Sequence, residues 1–173
     1  MIFVTVGTHE QPFNRLVEYI DKLKEDGTLD EEVIIQTGFS TYEPKHCIWS
    51  KLYPYQDMLR YVNEARIVIT HGGPSSFIMP LQVGKIPIVV PRQKKYDEHV
   101  NDHQLEFAKA VEERQKNIIV VDNIDELKKN IVDYDNLIKN MSDSLDSNNA
   151  RFCKEFEKIV GDCIKKNRRK ARR

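Results

Sequence analysis

Two kinds of hydrophobic pattern alternate along this chain. Short runs rich in β-branched residues are typical of strands buried on both faces of a parallel sheet, and stretches with apolar residues every three or four positions are typical of helices. The runs predict strands over residues 2–6, 33–36, 47–53, 67–70, 86–90 and 118–121. Helical spacing predicts one helix that begins near residue 13 and others over 56–64, 76–83, 100–113 and 124–132. The alternation predicts βαβ units, and therefore an α/β fold with a mostly parallel sheet.

Three segments depart from this regular pattern. Pro80 falls inside the predicted helix 76–83, which should therefore be short or kinked. Residues 92–97 are predicted to form a charged loop. Residues 140–149, rich in Ser, Asn and Asp, are predicted to link a domain over 1–139 to a final amphipathic helix that runs into a basic tail.

Glycines follow directly after two of the predicted strands. Gly7 ends the first apolar run, and Gly72 and Gly73 follow the run 67–70. A glycine lets backbone N–H groups approach a ligand, and Ser75 or Ser76 could cap the next helix, whose first amides favour an anion. Because the carboxyl ends of parallel strands share one edge of the sheet, both loops should meet there and bind phosphate. A tight turn that needs glycine is the alternative interpretation.

Neither glycine loop matches a common nucleotide-binding motif. The spacings G-x-G-x-x-G and G-x-x-x-x-G-K-[ST] are both absent from the sequence. Ordinary dinucleotide binding and P-loop binding are therefore not supported.

Composition sets few further limits on function. The 173 residues suffice for one domain with a core, and 27 basic residues balance 27 acidic ones, so net charge favours no class of partner. The three cysteines lack metal-type spacing and indicate a reducing compartment. We expect no signal peptide, because Met1 leads directly into a strand, and no apolar run approaches the roughly 20 residues that span a bilayer.

The last segment, 165–173, is strongly basic. A solvated helix end is the default interpretation, and a contact with anionic lipid or with a membrane-bound partner is the alternative. Nucleic acid is the least favoured partner, because no aromatic residues are interleaved with these charges.

Five sequence blocks follow one another in an order typical of a known family. They are Gly7-Thr8, Tyr55-x-x-Met58-Leu59, the block from Ile67 to Ser76, the block from Gly84 to Arg92, and Glu98-His99-x-Asn101-Asp102-His103-Gln104. Over about residues 1–121 they resemble the carboxyl-terminal, nucleotide-sugar-binding half of family 28 glycosyltransferases. Within this family the chain is similar to small bacterial polysaccharide galactosyltransferase subunits. It is also similar to the donor-binding subunit of the eukaryotic two-part enzyme that extends dolichol-diphosphate-N-acetylglucosamine.

This resemblance implies a fold and a function. The chain would be one Rossmann-like half of a GT-B enzyme, the carboxyl-terminal donor-binding half. It would transfer a hexose, with inversion, from a UDP-sugar to a lipid-diphosphate-linked saccharide in capsule or exopolysaccharide synthesis. UDP-galactose is the first choice of donor and UDP-N-acetylglucosamine the second. A separate membrane-anchored subunit would bind the acceptor and hold this chain at the cytoplasmic face of the membrane. No cofactor or bound metal is implied.

The resemblance also implies roles for individual residues. The two glycine loops would hold the donor diphosphate through Gly7, Thr8, His71, Gly72, Gly73, Ser75 and Ser76. The uridine or the sugar would contact Tyr55, Glu98, Asn101, His103 and Gln104. A relative that acts in peptidoglycan synthesis has a ribose-binding glutamate where this chain has Met79, which cannot accept a hydroxyl hydrogen bond. Glu98 or Gln104 is therefore expected to take that role.

An inverting transfer needs a general base near the acceptor hydroxyl. His9 is the candidate within this chain because it lies at the first glycine loop, although a loop cap or a phosphate contact suits it equally, and the partner could supply the base instead. For His71 we favour a structural or phosphate-contact role over catalysis. No metal site is predicted, because His99 and His103 have no third ligand at a clear spacing. The Asp-x-Asp at 133–135 is expected to be surface charge.

Three other functions are separable by sequence or by experiment. An esterase would need a Gly-x-Ser-x-Gly elbow, and residues 38–42 fail at the last position. A non-catalytic nucleotide-sugar-binding or regulatory subunit would have the same half-site, and so would a homo-oligomer that acts alone. Transfer activity with and without a membrane-bound partner distinguishes these two from the two-component enzyme.

Overall fold

Six strands form one parallel sheet in this computed structural model, which describes residues 1–139, 141, 153–154, 156–158 and 160. The strands are β1 (Ile2–Thr5), β2 (Val33–Gln36), β3 (Ile48–Ser50), β4 (Ile67–His71), β5 (Ile88–Val90) and β6 (Ile119–Val120). Their order across the sheet is β3-β2-β1-β4-β5-β6, and every neighbouring pair is parallel. The predicted α/β fold with a Rossmann-like sheet is confirmed. Apart from residue 141, the predicted linker 140–149 and the basic tail 165–173 lie outside the described residues.

Helices connect the strands. They are α1 (Asn14–Glu25), α2 (Tyr55–Glu64), α3 (Pro74–Gln82), α4 (His103–Gln115), α5 (Leu127–Val132) and α6 (Tyr134–Lys139), with short 3₁₀ helices at Lys94–Tyr96 and Ile124–Glu126. The predicted helix 124–132 is thus divided into a 3₁₀ turn and α5, and α6 was not predicted. Within the described part of the chain, no helix is long and apolar enough to cross a membrane.

Both faces of the sheet are covered by helices. On one face, Leu16 and Ile20 of α1 pack in the same cluster as Val4 of β1. On the opposite face, Phe3 of β1 packs with Val62 of α2. All four residues of β1 and of β2 are buried, which explains why these strands are continuous apolar runs without alternation.

The central strands β1 and β4 bring the two glycine loops together. They pair in register from Ile2 with Ile67 to Thr5 with Thr70, so both strands reach the carboxyl edge of the sheet at the same level. Between these two strands the chain order reverses, since β2 and β3 extend the sheet to one side and β5 and β6 to the other. The loops therefore lie at the switch point where ligands of open α/β sheets bind.

Two prolines set element boundaries that differ from the prediction. Helix α3 begins at Pro74 with Gly73 as its N-cap, so Ser75 and Ser76 lie inside the first turn and neither caps the helix, contrary to our expectation. Proline suits this first position because its fixed φ is helical and its missing N–H is not needed there. Strand β5 begins only at Ile88, after Pro87, which has no N–H to donate to the ladder.

Candidate functional site

The two glycine loops and three neighbouring elements enclose a cavity at the carboxyl edge of the sheet. Its walls come from the loop after β1, the end of β2, helix α2, the β4–α3 junction and the start of α4. The lining residues are Gly7, Thr8, His9, Gln36, Met58, His71, Ser75, Ser76 and Gln104. Six of the predicted diphosphate and base residues are among these nine, together with Gln104 from the predicted uridine or sugar group.

His71 is wedged between the two loops as a neutral ring. Burial and the charge of Arg92 lower the pKa of His71 to about 4. Its Nδ1 accepts a hydrogen bond from the Gly73 backbone N–H at 3.0 Å, and its Nε2 lies 2.7 Å from Ser76 Oγ. Because Nδ1 accepts, the neutral ring carries its proton on Nε2 and donates it to Ser76. The hydroxyl proton of Ser76 is then available to a ligand.

The ring explains why glycine is needed on both sides of it. A Cβ on Gly7 would lie 2.4 Å from His71 Nε2, and a Cβ on Gly73 would lie 2.3 Å from His71 Cε1. Gly7 also has a φ of 74°, which disfavours other residues, whereas Gly73 has an ordinary φ of −73°. The glycine at position 73 is therefore required by close approach alone.

Several of the expected phosphate donors already have partners inside the protein. The Gly7 amide donates to Thr5 Oγ1 at 3.2 Å, the Gly73 amide to His71, and the Ser76 amide to the Gly73 carbonyl at 3.0 Å. No hydrogen bond among the described residues uses the amide of Thr8 or Ser75. Of the expected diphosphate residues that line the cavity, this geometry thus leaves these two amides and the side-chain hydroxyls available to an anion.

Gln36 is a site residue that the sequence analysis missed. It ends β2, is almost fully buried, and lines the cavity. Its Oε1 accepts a hydrogen bond from Thr5 Oγ1 at 2.7 Å, and Thr5 in turn accepts from Gly7. This chain fixes the amide so that its NH₂ group is left as a donor beside the first glycine loop. The signal in the sequence was a glutamine that ends an otherwise apolar strand.

His9 presents a donor to the cavity in this structure. Its Nδ1 accepts a hydrogen bond from the Gln11 amide at 3.2 Å, so the neutral ring carries its proton on Nε2. Its ring stacks on His99 with centroids 4.7 Å apart, and burial, Arg92 and His99 lower the pKa of His9. With Nδ1 engaged, the geometry favours the phosphate-contact interpretation of His9 over that of a general base.

Gln104 joins the second glycine loop to the end of β5. Its Oε1 accepts from the Arg92 amide at 3.3 Å, and its Cβ would lie 2.8 Å from a Cβ on Gly72. It also lines a second, more open cavity on the far side of the second glycine loop. That cavity is lined by Gly72, Gly73, Pro74, His99, His103, Gln104, Glu106 and Phe107.

Glu98 is buried and held by hydrogen bonds inside the protein. Its carboxylate is held by Arg15 through two hydrogen bonds of 2.8 Å and by the Gln93 amide at 3.1 Å. The residue is 3% exposed and lies outside the lining of both cavities. Glu98 thus forms an ion pair between α1 and the segment before α4, and its expected ribose contact stays a prediction that this geometry does not favour. The predicted charged loop at 92–97 contains the short 3₁₀ helix Lys94–Tyr96, and its first two residues, Arg92 and Gln93, are buried.

The other predicted contact residues lie around the rim. Tyr55 is the first residue of α2 and is exposed, one turn before the cavity residue Met58. Asn101 accepts a hydrogen bond from the His103 amide and so supports the start of α4. His103 lines the second cavity, and its Nδ1 lies 3.5 Å from Glu106. For these residues the roles in binding uridine or sugar stay predictions.

Met79 packs into the core beside the site. It joins the cluster of Phe3 and Val68 on the α2 side of the sheet. The position that holds a ribose-binding glutamate in the peptidoglycan relative is thus apolar packing here.

The remaining charged candidates do not form a metal centre. Among the described residues, no group of three or more His, Cys, Asp or Glu side chains is placed to hold a metal ion. The Asp-x-Asp segment lies at the α5–α6 junction, where Asp135 pairs with Arg66 at the surface, as expected.

Comparison with known proteins adds three findings. The model of the glycosyltransferase family 28 C-terminal domain matches residues 1–160. The chain is similar to UDP-N-acetylglucosamine transferase subunit ALG13 from Homo sapiens, with 33% identity over 119 residues, and from Mus musculus, with 32% over 120 residues. These matches cover 64% and 63% of this chain and 10% of each relative, so the chain spans about a tenth of their length.

A solved structure shares the fold. The crystal structure of a glycotransferase of kitacinnamycin superposes with a TM-score of 0.61 and 18% identity, over 83% of this chain and 37% of the other. At this identity the likeness shows the fold alone.

Proposed function

Because this chain belongs to the glycosyltransferase family 28 C-terminal domain family, we propose that it is the donor-binding half of a UDP-sugar glycosyltransferase. The diphosphate of the donor would lie in the cavity between the two glycine loops. The nucleoside would extend toward α2, and the sugar toward Gln104 and the second cavity. The acceptor would be a lipid-diphosphate-linked saccharide bound by a separate, membrane-anchored subunit.

One observation carries this proposal: donors from both central strands converge on one cavity. Thr8 follows β1, Ser75 and Ser76 begin α3 after β4, and the ring of His71 fixes the spacing between the two loops. The first turn of α3 adds the positive end of a helix dipole. Internal hydrogen bonds already order the two loops that carry these donors, so the donors would stabilise the UDP leaving group as its negative charge grows during transfer.

The base that accepts the proton of the acceptor hydroxyl would come from outside this cavity. His9 has its Nδ1 engaged with Gln11, and His71 has its Nδ1 engaged with Gly73. We therefore assign these two rings to the diphosphate site, and assign the general base of an inverting transfer to the acceptor-binding partner.

The identity of the sugar is the second part of the proposal. The names of the two curated relatives specify a UDP-N-acetylglucosamine transferase subunit, so UDP-N-acetylglucosamine now precedes UDP-galactose as the proposed donor. A role in capsule or exopolysaccharide synthesis rests on the sequence resemblance alone.

Calorimetric titration of the chain with UDP, UDP-N-acetylglucosamine, UDP-galactose and ADP tests donor binding. We expect UDP and one UDP-sugar to bind, and ADP to bind at least about tenfold more weakly, a difference of about 1.4 kcal/mol. Thr8→Val and Ser75→Ala should weaken UDP binding, whereas Thr41→Val should not, because Thr41 contacts Asn14 and lines neither of the two cavities. A chain that binds no uridine nucleotide would refute the proposal.

Catalysis is tested separately. The chain is mixed with membranes that contain the candidate acceptor-binding subunit, and transfer of radiolabelled sugar to lipid is measured. Activity that needs both components supports the two-component enzyme. Full activity of the chain alone would favour a homo-oligomer, and donor binding without any transfer would favour a regulatory subunit.

A further inference from the structure

Arg92 is a buried cation whose side-chain hydrogen bonds, among the described residues, go to backbone carbonyls and not to a carboxylate. It follows β5 and is fully buried. Its Nη1 donates to the carbonyls of Gln11 at 2.7 Å and Glu98 at 3.1 Å, and its Nη2 donates to the carbonyl of Val6 at 2.9 Å. These partners are backbone dipoles, and Nε has no partner among the described residues. The Phe13 ring, 4.8 Å from the guanidinium carbon, and the charge of Glu98 offset part of the cost of burying this charge. A buried charge without a directly hydrogen-bonded carboxylate is still costly, so its retention calls for a physical reason.

Glu98, whose charge acts on Arg92, has its carboxylate hydrogen-bonded to Arg15 and to the Gln93 amide. The Glu98 carboxylate receives Arg15 on both oxygens at 2.8 Å, and the Arg15 and Glu98 side chains are 13% and 4% exposed. Glu98 turns its backbone carbonyl toward Arg92 and its carboxylate toward Arg15. Two arginines against one glutamate leave this cluster with one net positive charge. Burial lowers the pKa of Arg92 to about 10, still well above neutral pH, so the charge persists.

That charge lies directly behind the first glycine loop. Arg92 binds the carbonyl of Val6, the residue before Gly7, and the carbonyl of Gln11 at the other end of the loop. Its field reaches the cavity, because the charge of Arg92 contributes to the lowered pKa of both His9 and His71. Among the residues that the structure describes, no lysine or arginine lines the cavity itself. A diphosphate in the cavity would otherwise face only neutral donors.

We propose that Arg92 is the cation of the diphosphate site, acting through the first glycine loop without touching the ligand. This inference rests on the proposed function, since it takes the anion to be the diphosphate of a nucleotide. Arg92 is a positioning residue in this scheme. Its hydrogen bonds fix the loop that carries Thr8, and its charge stabilises the bound anion across that loop. Because the side chain is sealed from solvent, salt screens this attraction less than it would screen a surface lysine.

The test compares three ligands with two variants. Binding of UDP, inorganic pyrophosphate and uridine to the full chain is measured for wild type, Arg92→Met and Arg92→Lys. We expect Arg92→Met to weaken UDP and pyrophosphate about tenfold or more, as loss of a nearby charge in a low-dielectric setting requires, and to leave uridine unchanged. Arg92→Lys should restore most of the affinity for both anions. If Arg92→Met weakened uridine binding as much as UDP and pyrophosphate binding, Arg92 would have only a structural role, and the proposal would be overturned.

A third variant guards against a simple failure to fold. Glu98→Gln removes the negative charge of the cluster, so it should tighten pyrophosphate binding, which misfolding cannot do. Glu98→Gln with unchanged or weaker pyrophosphate binding would contradict the proposal. In the Arg92→Met variant the pKa of His9, followed by NMR, should also rise, because the charge of Arg92 that lowers it is gone. Glu10, which raises this pKa, and His99, which lowers it, are present in both proteins. If wild type binds no UDP, the proposed function fails; if wild type binds UDP and Arg92→Met binds it equally well, only this inference fails.

Discussion

The two glycine loops occupy equivalent places in the sheet but are held in different ways. The first loop, after β1, rests on a buried charge, Arg92, and on the hydroxyl of Thr5. The second, after β4, rests on the neutral ring of His71 and runs at once into α3. Gly7 is required by both its φ and the neighbouring ring, whereas Gly73 is required by the ring alone. A shared sequence feature at equivalent strand ends therefore has two separate physical causes.

Substitution of Gly7 should have the largest effect, and Gly27 is its matched control. Both have a φ near 75°, but a Cβ on Gly27 would meet nothing within 4 Å. Gly27→Ala should cost about 1–2 kcal/mol of unfolding free energy, from φ alone. Gly7→Ala should cost about 2–5 kcal/mol, because displacement of His71 is added. Urea unfolding of both variants measures the difference, and equal costs would show that the ring yields freely.

Acid titration tests whether the second loop depends on a neutral ring. The pKa of His71 is lowered from 6.5 to about 4, so the unfolded chain takes up a proton that the folded one refuses. The contribution is fully present above pH 6.5 and is lost as the pH falls toward about 4, in total on the order of 3 kcal/mol. His71→Asn, which does not titrate, should show a correspondingly shallower fall in stability over this range. Identical pH profiles would contradict the assignment.

Gly73→Ala measures the cost of contact between a Cβ and the His71 ring, separately from any backbone strain. The φ of Gly73 suits alanine, so the expected cost of about 1–3 kcal/mol arises from contact with His71. In a His71→Ala background the same substitution should cost nearly nothing, because the ring is absent. A double-mutant cycle by thermal unfolding gives the coupling energy. Additive effects would mean that another neighbour resists the Cβ.

The smallest expected loss of stability follows from removal of the Thr5 hydroxyl, which binds the Gly7 amide of the first glycine loop. Thr5 and Thr70 are paired across β1 and β4, and both are buried. Thr5 Oγ1 links Gly7 to Gln36, whereas Thr70 Oγ1 has no hydrogen-bond partner among the described residues. Thr5→Val should therefore cost about 1 kcal/mol, and Thr70→Val should be neutral or stabilising. Chemical denaturation of both variants checks this, and the reverse order would contradict the assigned role of Thr5.

The sequence predicted what depends on local pattern. The run that forms β2 was placed with its correct ends, and both glycine loops were placed at one edge of the sheet. The predicted start of α3 is two residues too late, because the prediction takes Ser75 or Ser76 as the cap, whereas the helix already begins at Pro74. Local patterns of this kind specify an element better than they specify its first residue.

Contacts distant in sequence account for the remaining differences. Residues 92–98 have the composition of a solvated loop, and the burial of Arg92 and Glu98 depends on Arg15 of α1 and on backbone carbonyls of the first loop. The need for glycine at position 73 depends on the orientation of one ring. Gln36 resembles a polar strand end until Thr5 is seen to orient its amide. Nothing in the local sequence reports such partners.

The order of strands has a consequence for hydrogen exchange. The two glycine loops follow β1 and β4 at the centre of the sheet, whereas the edge strands β3 and β6 have only three and two residues. Fraying is expected to begin at the short edges, so a molecule with an open edge would still retain a nucleotide bound at the proposed site. Bound UDP should therefore slow amide exchange in the two central strands by its full binding energy, and leave exchange in β3 almost untouched.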